Sequence, residues 1–218
     1  DGSTDATLAI LQDYQNKLGF ERLQIRRGPC RGYVANFLST ATDKSITADA
    51  FAFADQDDVW HPDKLERALS WLREQPQERP SLYCSRTQLI DASGALIGWS
   101  PLFRKPPSFQ NALVQSLAGG NTMVFNRAAQ NLLAEAGTLH IVSHDWWFYM
   151  LITGSGGLLH YDPNPSIDYR QHEANIIGSN RRLSDHLYRL RCLLSGHFQK
   201  WNEINLQALS LHASLLTE

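Results

Sequence analysis

Three carboxylates, Asp55, Asp57 and Asp58, stand within four consecutive positions of the segment FADQDDVWHPDKLERALSWL. Like charges this close repel one another, so their concentration suggests a positive partner between them. Carboxylate oxygens are hard ligands that suit Mg²⁺ or Mn²⁺. The segment therefore indicates a divalent-cation site. The alternative is that one aspartate caps the next helix and the others are solvated loop residues.

The elements around this segment put the carboxylates where α/β proteins bind ligands. The apolar run AFAFA, residues 50–54, is typical of a buried parallel strand, and a helix follows Pro62. In open α/β sheets, ligands bind outside the carboxyl ends of the strands. The inward stripe of the following helix is predicted at Leu65, Ala68, Leu69 and Leu72.

The first third of the chain alternates helices and strands. The opening DGSTDAT is a turn that leads into a helix bearing Leu8, Leu11 and Tyr14. Such a turn normally follows a strand, so we expect the first β-strand to be missing from this sequence. A strand is predicted at LQIRR, residues 23–27, and a helix with Val34 on its apolar face follows. This order predicts a Rossmann-like mixed, mainly parallel sheet flanked by helices.

The rest of the chain predicts further strands and a helical tail. SLYCS is predicted as a strand, LIDASGALIG as a hairpin turning at residues 91–94, and GGNTMVFNRAAQNLLAEAG as a strand followed by a helix. SHDWWFYMLIT is predicted as a helix, and GLLHYD and SIDYR as short strands. We expect one domain over residues 1–178, with a helical extension over residues 179–218 packed on it.

Composition excludes several classes of protein. The hydrophobic fraction is 43% and the net charge is −2, which argues against a nucleic-acid-binding surface. Cys30, Cys84 and Cys192 are widely spaced, so we interpret them as reduced thiols of a cytoplasmic protein. No apolar run is long enough for a membrane span. The basic segment from residue 181 to residue 200 leaves open peripheral contact with an anionic membrane.

Several segments together resemble the family 2 glycosyltransferases of the GT-A fold, particularly the bacterial rhamnosyltransferase-like members. The opening DGSTDAT is similar to the family's nucleotide-sugar turn, and GPCRGYVANF to its glycine-centred helix start. FADQDDVWHPDKLERAL is similar to the segment that carries the DxD motif, here residues 55–57. GGNTMVFNR, SHDWWFYMLI and YRQHEAN then follow in the family's order, so the resemblance covers residues 1–178.

This resemblance implies a donor and metal site. Asp55 would contact the ribose of a nucleoside diphosphate sugar, and Asp1 would lie near its base or ribose. Asp57 would hold Mn²⁺ or Mg²⁺ against the diphosphate, and His172 in YRQH would complete the metal site. From the residues alone, His172 could equally be an ordinary polar loop residue.

The same resemblance implies a catalytic base. Asp145 in SHDWW would remove the proton from the acceptor hydroxyl, although it could also act as a first-turn acid of its helix. His144 stands where the family more often has glutamate, which leaves a modulating role for His144 open. Gly120 and Asn121 would lie close to the donor sugar, or they would form a plain turn before TMVF.

The expected activity is a metal-dependent, inverting transfer of a sugar from a nucleoside diphosphate to a saccharide or lipid-linked saccharide acceptor in surface-polysaccharide synthesis. The resemblance makes dTDP-rhamnose the first candidate donor. Two alternatives stay open: a nucleotidyltransferase, and a non-catalytic module that binds sugar nucleotides or carbohydrate.

Overall fold

The protein, described here from a computed structural model over residues 2–137, 140–171 and 197–217, is built from two four-stranded sheets and surrounding helices. The strands are β1 Ala50–Ala52, β2 Val59–Trp60, β3 Ser81–Ser85, β4 Gln88–Ile90, β5 Leu96–Trp99, β6 Val124–Asn126, β7 Leu158–Asp162 and β8 Ile167–Arg170. The helices are α1 Thr7–Leu18, α2 Tyr33–Ala41, α3 Lys64–Arg73, α4 Phe109–Ala112, α5 Arg127–Ala136, α6 His144–Gly154 and α7 His197–Leu211, with short 3₁₀ turns at Gly120–Thr122 and Ala213–Leu215.

Both sheets are mixed. The first has the strand order β1-β6-β3-β7 and the second has the order β2-β8-β4-β5. The parallel pairs are β3 with β7 and β4 with β8, whereas the other described pairs are antiparallel. The predicted mixed α/β class is confirmed. The parallel share is smaller than predicted because β6 runs antiparallel between β1 and β3.

Helix α6 lies at the centre of the main core. Its residues Trp147 through Ile152 are all buried, so the helix is apolar on every side, as expected for a fully enclosed helix. It contacts α2, α4, α5 and β7. Ala208 and Leu209 of α7 are buried in the same core cluster. The start of α6 is therefore held on a rigid support, and this is where Asp145 lies.

The prediction of a strand at residues 23–27 is wrong, since these residues form no strand. A strand is stable only when its backbone pairs with a neighbour, and none of the eight described strands pairs with this segment. Helix α1 forms as predicted but buries none of its residues. Its large apolar side chains are exposed, namely Leu8, Ile10, Leu11, Tyr14 and Leu18.

The other predicted helices and the antiparallel hairpin of β4 and β5 are confirmed within the described residues. The AFAFA run forms β1, but the prediction of a buried parallel strand is wrong, because β1 pairs antiparallel with β6 and, with one neighbour at the edge of its sheet, is only partly buried. In α3 the predicted inward residue Leu65 is exposed, and Lys64 is buried on that stripe with Ala68 and Leu72.

Cys30 and Cys84 are free thiols, one exposed and one buried. Cys192 and most of the basic segment lie outside the described residues. Each helix of the described part is too short or too polar to cross a membrane.

Candidate active site

The three aspartates lie in the acidic loop, residues 53–58, which connects β1 to β2. Asp58 has a structural role in this loop. Its Oδ2 accepts a hydrogen bond from Nδ2 of Asn121 at 2.5 Å, and its Oδ1 accepts one from the backbone N–H of Arg170 at 3.1 Å. Asn121 leads into β6 of the first sheet and Arg170 ends β8 of the second. The Asp58 carboxylate therefore joins the two sheets.

Asp55 lies in an environment that disfavours its charge. Burial, followed by the negative charges of Asp58, Asp57 and Asp145, raises the pKa of Asp55 to about 6, and Lys64 opposes this rise. A carboxylate with a raised pKa among like charges gains most from a bound cation. The ring of Phe53 in the acidic loop lies 4.9 Å from that of His144 at the start of α6, so the helix start and the loop are in contact.

The donor set fits a hard divalent cation in its chemistry. Asp57 is half-buried beside Asp55, and its backbone carbonyl accepts a hydrogen bond from Nε of Arg170 at 3.0 Å, which fixes the loop at this residue. Clustered carboxylate oxygens are the ligands that Mg²⁺ and Mn²⁺ prefer. Among the residues that the structure describes, no three His, Cys, Asp or Glu side chains are grouped to hold a metal. His172 lies outside the described residues, so the predicted ligand pair of Asp57 and His172 stays a prediction.

Opposite the acidic loop, a short turn that we call the glycine turn (Gly119–Thr122) meets the start of α6. The backbone N–H of Gly120 donates a hydrogen bond to Oδ2 of Asp145 at 3.2 Å. Oδ1 of Asp145 accepts from the N–H of Trp146 at 2.8 Å, and Ser143 caps the helix by accepting from the same N–H. Asp145 is thus held in one orientation by two backbone donors. It lies in the first turn of α6, as predicted, and contacts the glycine turn.

Close packing leaves room only for glycine at position 120. A Cβ added to Gly120 would lie 2.6 Å from Nε2 of His144, a separation that real Cβ atoms do not tolerate. His144 itself is buried, stacks on Phe37 at 4.3 Å and meets Phe53 edge-on at 4.9 Å. Burial lowers the pKa of His144, which keeps the imidazole neutral at pH 7, although the charge of Asp145 opposes this effect.

Lys64, which the sequence did not identify, is fully buried beside the acidic loop. Its Nζ donates a hydrogen bond to the backbone carbonyl of Asn121 at 2.5 Å and lies 3.9 Å from the centre of the Trp60 ring. Burial lowers its pKa to about 8, while Asp58 and Asp55 act in the opposite direction. A signal was present in the sequence: Lys64 lies at i−4 from Ala68 and i−8 from Leu72, on the inward stripe of α3.

Two tyrosines border the acidic groups. Burial, with the charges of Asp58, Asp55 and Asp57, raises the pKa of Tyr169 to about 12. Burial, with the charges of Asp145 and Asp55, raises the pKa of Tyr33. Both phenols therefore keep their proton at neutral pH.

The structure brings five of the predicted site residues together around the acidic loop: Asp55, Asp57, Gly120, Asn121 and Asp145. Asp1 and His172 lie outside the described residues. The individual roles predicted for the five are considered below as proposals.

Comparison with known proteins identifies the class. Residues 1–133 match Glycosyl transferase family 2, and because this is more than half of the 218 residues, the chain belongs to that family. The predicted family is confirmed. Among curated proteins, the dTDP-rhamnosyl transferase RfbG of Shigella flexneri is 26% identical over 207 residues, an alignment covering 83% of this chain and 63% of that protein. The chain therefore spans less than two thirds of the length of this relative.

Proposed function

We propose that the protein is a metal-dependent, inverting glycosyltransferase that transfers a sugar from a nucleoside diphosphate to a saccharide or lipid-linked saccharide acceptor. One observation carries this proposal. A half-buried acidic loop and the oriented carboxylate of Asp145 meet across a single glycine turn, with Asp58 bonded to Asn121 and Asp145 to Gly120. Family membership supports glycosyl transfer as the reaction class.

Asp145 is the proposed general base. Its two oxygens accept from the amides of Gly120 and Trp146, so the carboxylate cannot rotate freely and its remaining lone pairs have a fixed direction. Deprotonation of the acceptor hydroxyl by a fixed carboxylate accelerates attack on the anomeric carbon by roughly 10²–10⁴-fold. The hydroxyl proton passes to the Asp145 carboxylate, the hydroxyl oxygen bonds to the anomeric carbon, and the bond from that carbon to the diphosphate breaks with its electron pair leaving on the diphosphate.

The acidic loop is the proposed donor end. Asp55 contacts the ribose, and Asp57 holds Mg²⁺ or Mn²⁺ with His172. When bound, the cation supplies Lewis-acid stabilisation of the departing diphosphate. The elevated pKa of Asp55 supports this arrangement, because a nearby cation would relieve the repulsion that raises it. Asp1 is proposed near the base or ribose on the family resemblance alone.

The donor sugar is proposed from the relative. The name of the Shigella flexneri protein, a dTDP-rhamnosyl transferase, makes dTDP-rhamnose the first donor to test. The chain spans 63% of that protein. The identities of the donor and of the acceptor are therefore both parts of this proposal.

The test compares Asp145→Asn, Asp57→Ala and the exposed control Asp49→Asn. Turnover is measured as dTDP release from dTDP-rhamnose over a panel of saccharide acceptors, and dTDP binding is measured by calorimetry with and without Mn²⁺. We expect Asp145→Asn to lose at least about 100-fold in kcat while binding dTDP normally. Asp57→Ala is expected to abolish the Mn²⁺ dependence of dTDP binding, and the control should resemble the wild type.

Two results would reject the proposal. Undiminished turnover in Asp145→Asn would remove Asp145 from the mechanism. Tight nucleotide binding with no turnover on any donor, in the wild type as in the variants, would favour the non-catalytic binding module.

A further inference from the structure

We propose that Lys64 is a positioning residue that fixes the glycine turn and, through that turn, the placement of Asp145 relative to the acidic loop. The catalytic part of this inference rests on the function proposed above. The structural part, that Lys64 holds the turn, stands on the contacts of the described residues alone.

The ammonium group of Lys64 is enclosed by the protein. Lys64 has 0% of its surface exposed, although it lies in the first turn of α3, on the same stripe as the buried Ala68 and Leu72. Burying a charged lysine is costly unless the charge is compensated by hydrogen bonds and opposite charges. Here the compensation comes from the Asn121 carbonyl, the face of Trp60 and the charges of Asp58 and Asp55.

Asn121 is held through both its backbone carbonyl and its side chain. Lys64 donates to its backbone carbonyl and its side chain donates to Asp58, both at 2.5 Å. Because Lys64 also attracts Asp58 electrostatically, these three residues form one connected group. A displacement of Asn121 would break both hydrogen bonds, so its position is determined by α3 and by the acidic loop together.

The glycine turn connects Asn121 to Asp145. Gly120 precedes Asn121 directly and donates its N–H to Oδ2 of Asp145. The turn is closed by backbone hydrogen bonds from Thr122 to Gly119 and from Met123 to Gly120, at 2.9 and 3.0 Å. Lys64 therefore acts on Asp145 through a rigid turn of a few residues and without touching it. A misplacement of about 1 Å at a catalytic group can reduce a rate by about 100-fold.

A simpler interpretation is that Lys64 only contributes to overall stability. The two interpretations differ in where an effect should be seen. A positioning role predicts local loosening of the glycine turn with the rest of the core unchanged. A general role predicts loosening of the whole first sheet.

Hydrogen exchange measured by mass spectrometry separates them without any substrate. In Lys64→Met, the amides of Thr122 and Met123 should exchange about 10- to 100-fold faster than in the wild type, since a hydrogen bond from a charged donor is lost. Exchange in β3, Ser81–Ser85, should be unchanged. Lys64→Arg keeps a cationic donor and is expected to retain most of the protection. Lys44→Met, at an exposed lysine, is the matched control.

Kinetics then test the catalytic consequence. For Lys64→Met we expect kcat to fall about 10- to 100-fold, with Lys64→Arg recovering part of the loss, while dTDP affinity changes much less than kcat. Unchanged exchange at Thr122 and Met123 would overturn the proposal, and so would equally faster exchange throughout β3. If local exchange rises but the wild type transfers no sugar, the positioning role stands and the proposed function fails.

Trp60→Leu keeps the proposal testable if Lys64→Met does not fold. This variant removes the ring beside the ammonium and leaves the lysine in place. A smaller rise in exchange, confined to the same amides, is expected. No change at these amides would count against the role of Lys64.

Discussion

At the scale of single residues, the aspartates of the acidic loop differ in what surrounds them. Burial raises the pKa of Asp58, and the hydrogen bonds that Asp58 accepts from Asn121 and from the Arg170 amide oppose this rise. Among the described residues no comparable hydrogen bond stabilises the charge of Asp55, and its pKa is raised to about 6. The two neighbouring carboxylates therefore differ: Asp58 holds the loop in place, whereas the charge of Asp55 is opposed by burial and by its neighbours.

The raised pKa of Asp55 predicts a pH dependence of stability in the metal-free protein. The folded state binds the Asp55 proton more tightly than the unfolded state, whose value is near 3.8, so this contribution is complete below that pH. It is lost as the pH rises to about 6. The free energy of unfolding of the wild type minus that of Asp55→Asn should therefore fall over this interval. Urea unfolding in the presence of a chelator measures the difference.

Asp49→Asn, at an exposed position, is the control for the loss of a surface carboxylate. Added Mn²⁺ should reduce the pH dependence of the difference between the wild type and Asp55→Asn, because a bound cation returns the pKa of the Asp55 carboxyl group towards its ordinary value. If the free energy of unfolding of the wild type minus that of Asp55→Asn does not change with pH in the absence of metal, the burial and repulsion assigned to Asp55 are contradicted.

Gly120 predicts a steric effect. In Gly120→Ala the added methyl group would lie 2.6 Å from Nε2 of His144, so we expect a loss of about 1–3 kcal/mol in the free energy of unfolding and a fall in kcat. The double variant with His144→Ala removes the clash and should recover part of both losses. Gly119→Ala, where the nearest atom is Oδ1 of Asn121 at 3.1 Å, should lose less. Equal losses in all three variants would show that the contact with His144 is irrelevant.

Asp55 and Asp57 were predicted from the clustering of carboxylates after a strand, whereas Asp145 was predicted from the family resemblance. Asp55, Asp57 and Asp145 are carboxylates in recognisable segments, and the structure brings them to one site. Lys64 was missed because a lysine near a helix start is ordinarily a solvated residue. Its burial depends on Trp60 and Asn121, and the contact with Asn121 spans 57 residues of sequence. Helical spacing places Lys64 on the inward stripe of α3, but a pattern within one segment does not show which distant residues would compensate its charge.

At the scale of elements, α3 is anchored to the connection between β7 and β8. Arg67 donates to Oδ2 of Asp162 through Nη2 at 2.5 Å, to the carbonyl of Asn164 at 2.8 Å and to that of Pro165 at 2.9 Å. Tyr83 of β3 also donates to Oδ2 of Asp162, at 2.6 Å. This network fixes the helix that carries Lys64, so the first turn of α3 has a defined position beside the acidic loop.

Arg67→Lys is therefore expected to destabilise the protein by about 1–3 kcal/mol, because an ammonium cannot reproduce a planar set of donors that contacts three acceptors. Arg73→Lys, at an exposed position of the same helix, should stay within about 0.5 kcal/mol of the wild type. Urea unfolding of both variants tests this anchor. A loss in Arg67→Lys no greater than that in Arg73→Lys would show that the network contributes little.

Helices with an apolar face could be predicted from the sequence, whereas the pairing of strands with distant partners could not. Helices α2 and α3 were predicted from apolar spacing, and they form because their apolar faces are covered by the core. The segment LQIRR has a strand-like composition, but a strand also needs a partner, which composition does not supply. In the same way, the apolar run before the acidic loop did not reveal that β1 pairs antiparallel with β6.

At the scale of the whole molecule, the acidic loop lies where two sheets approach each other, and the carboxylate of Asp58 accepts one hydrogen bond from each side. Chimeras between related transferases would have to respect this junction. Replacing the segment of Asn121 or that of Arg170 with a foreign one would remove a hydrogen-bond donor from the half-buried Asp58 carboxylate. The two segments therefore need to be exchanged together. Modular swapping of one specificity loop at a time is therefore a poor engineering route for this protein.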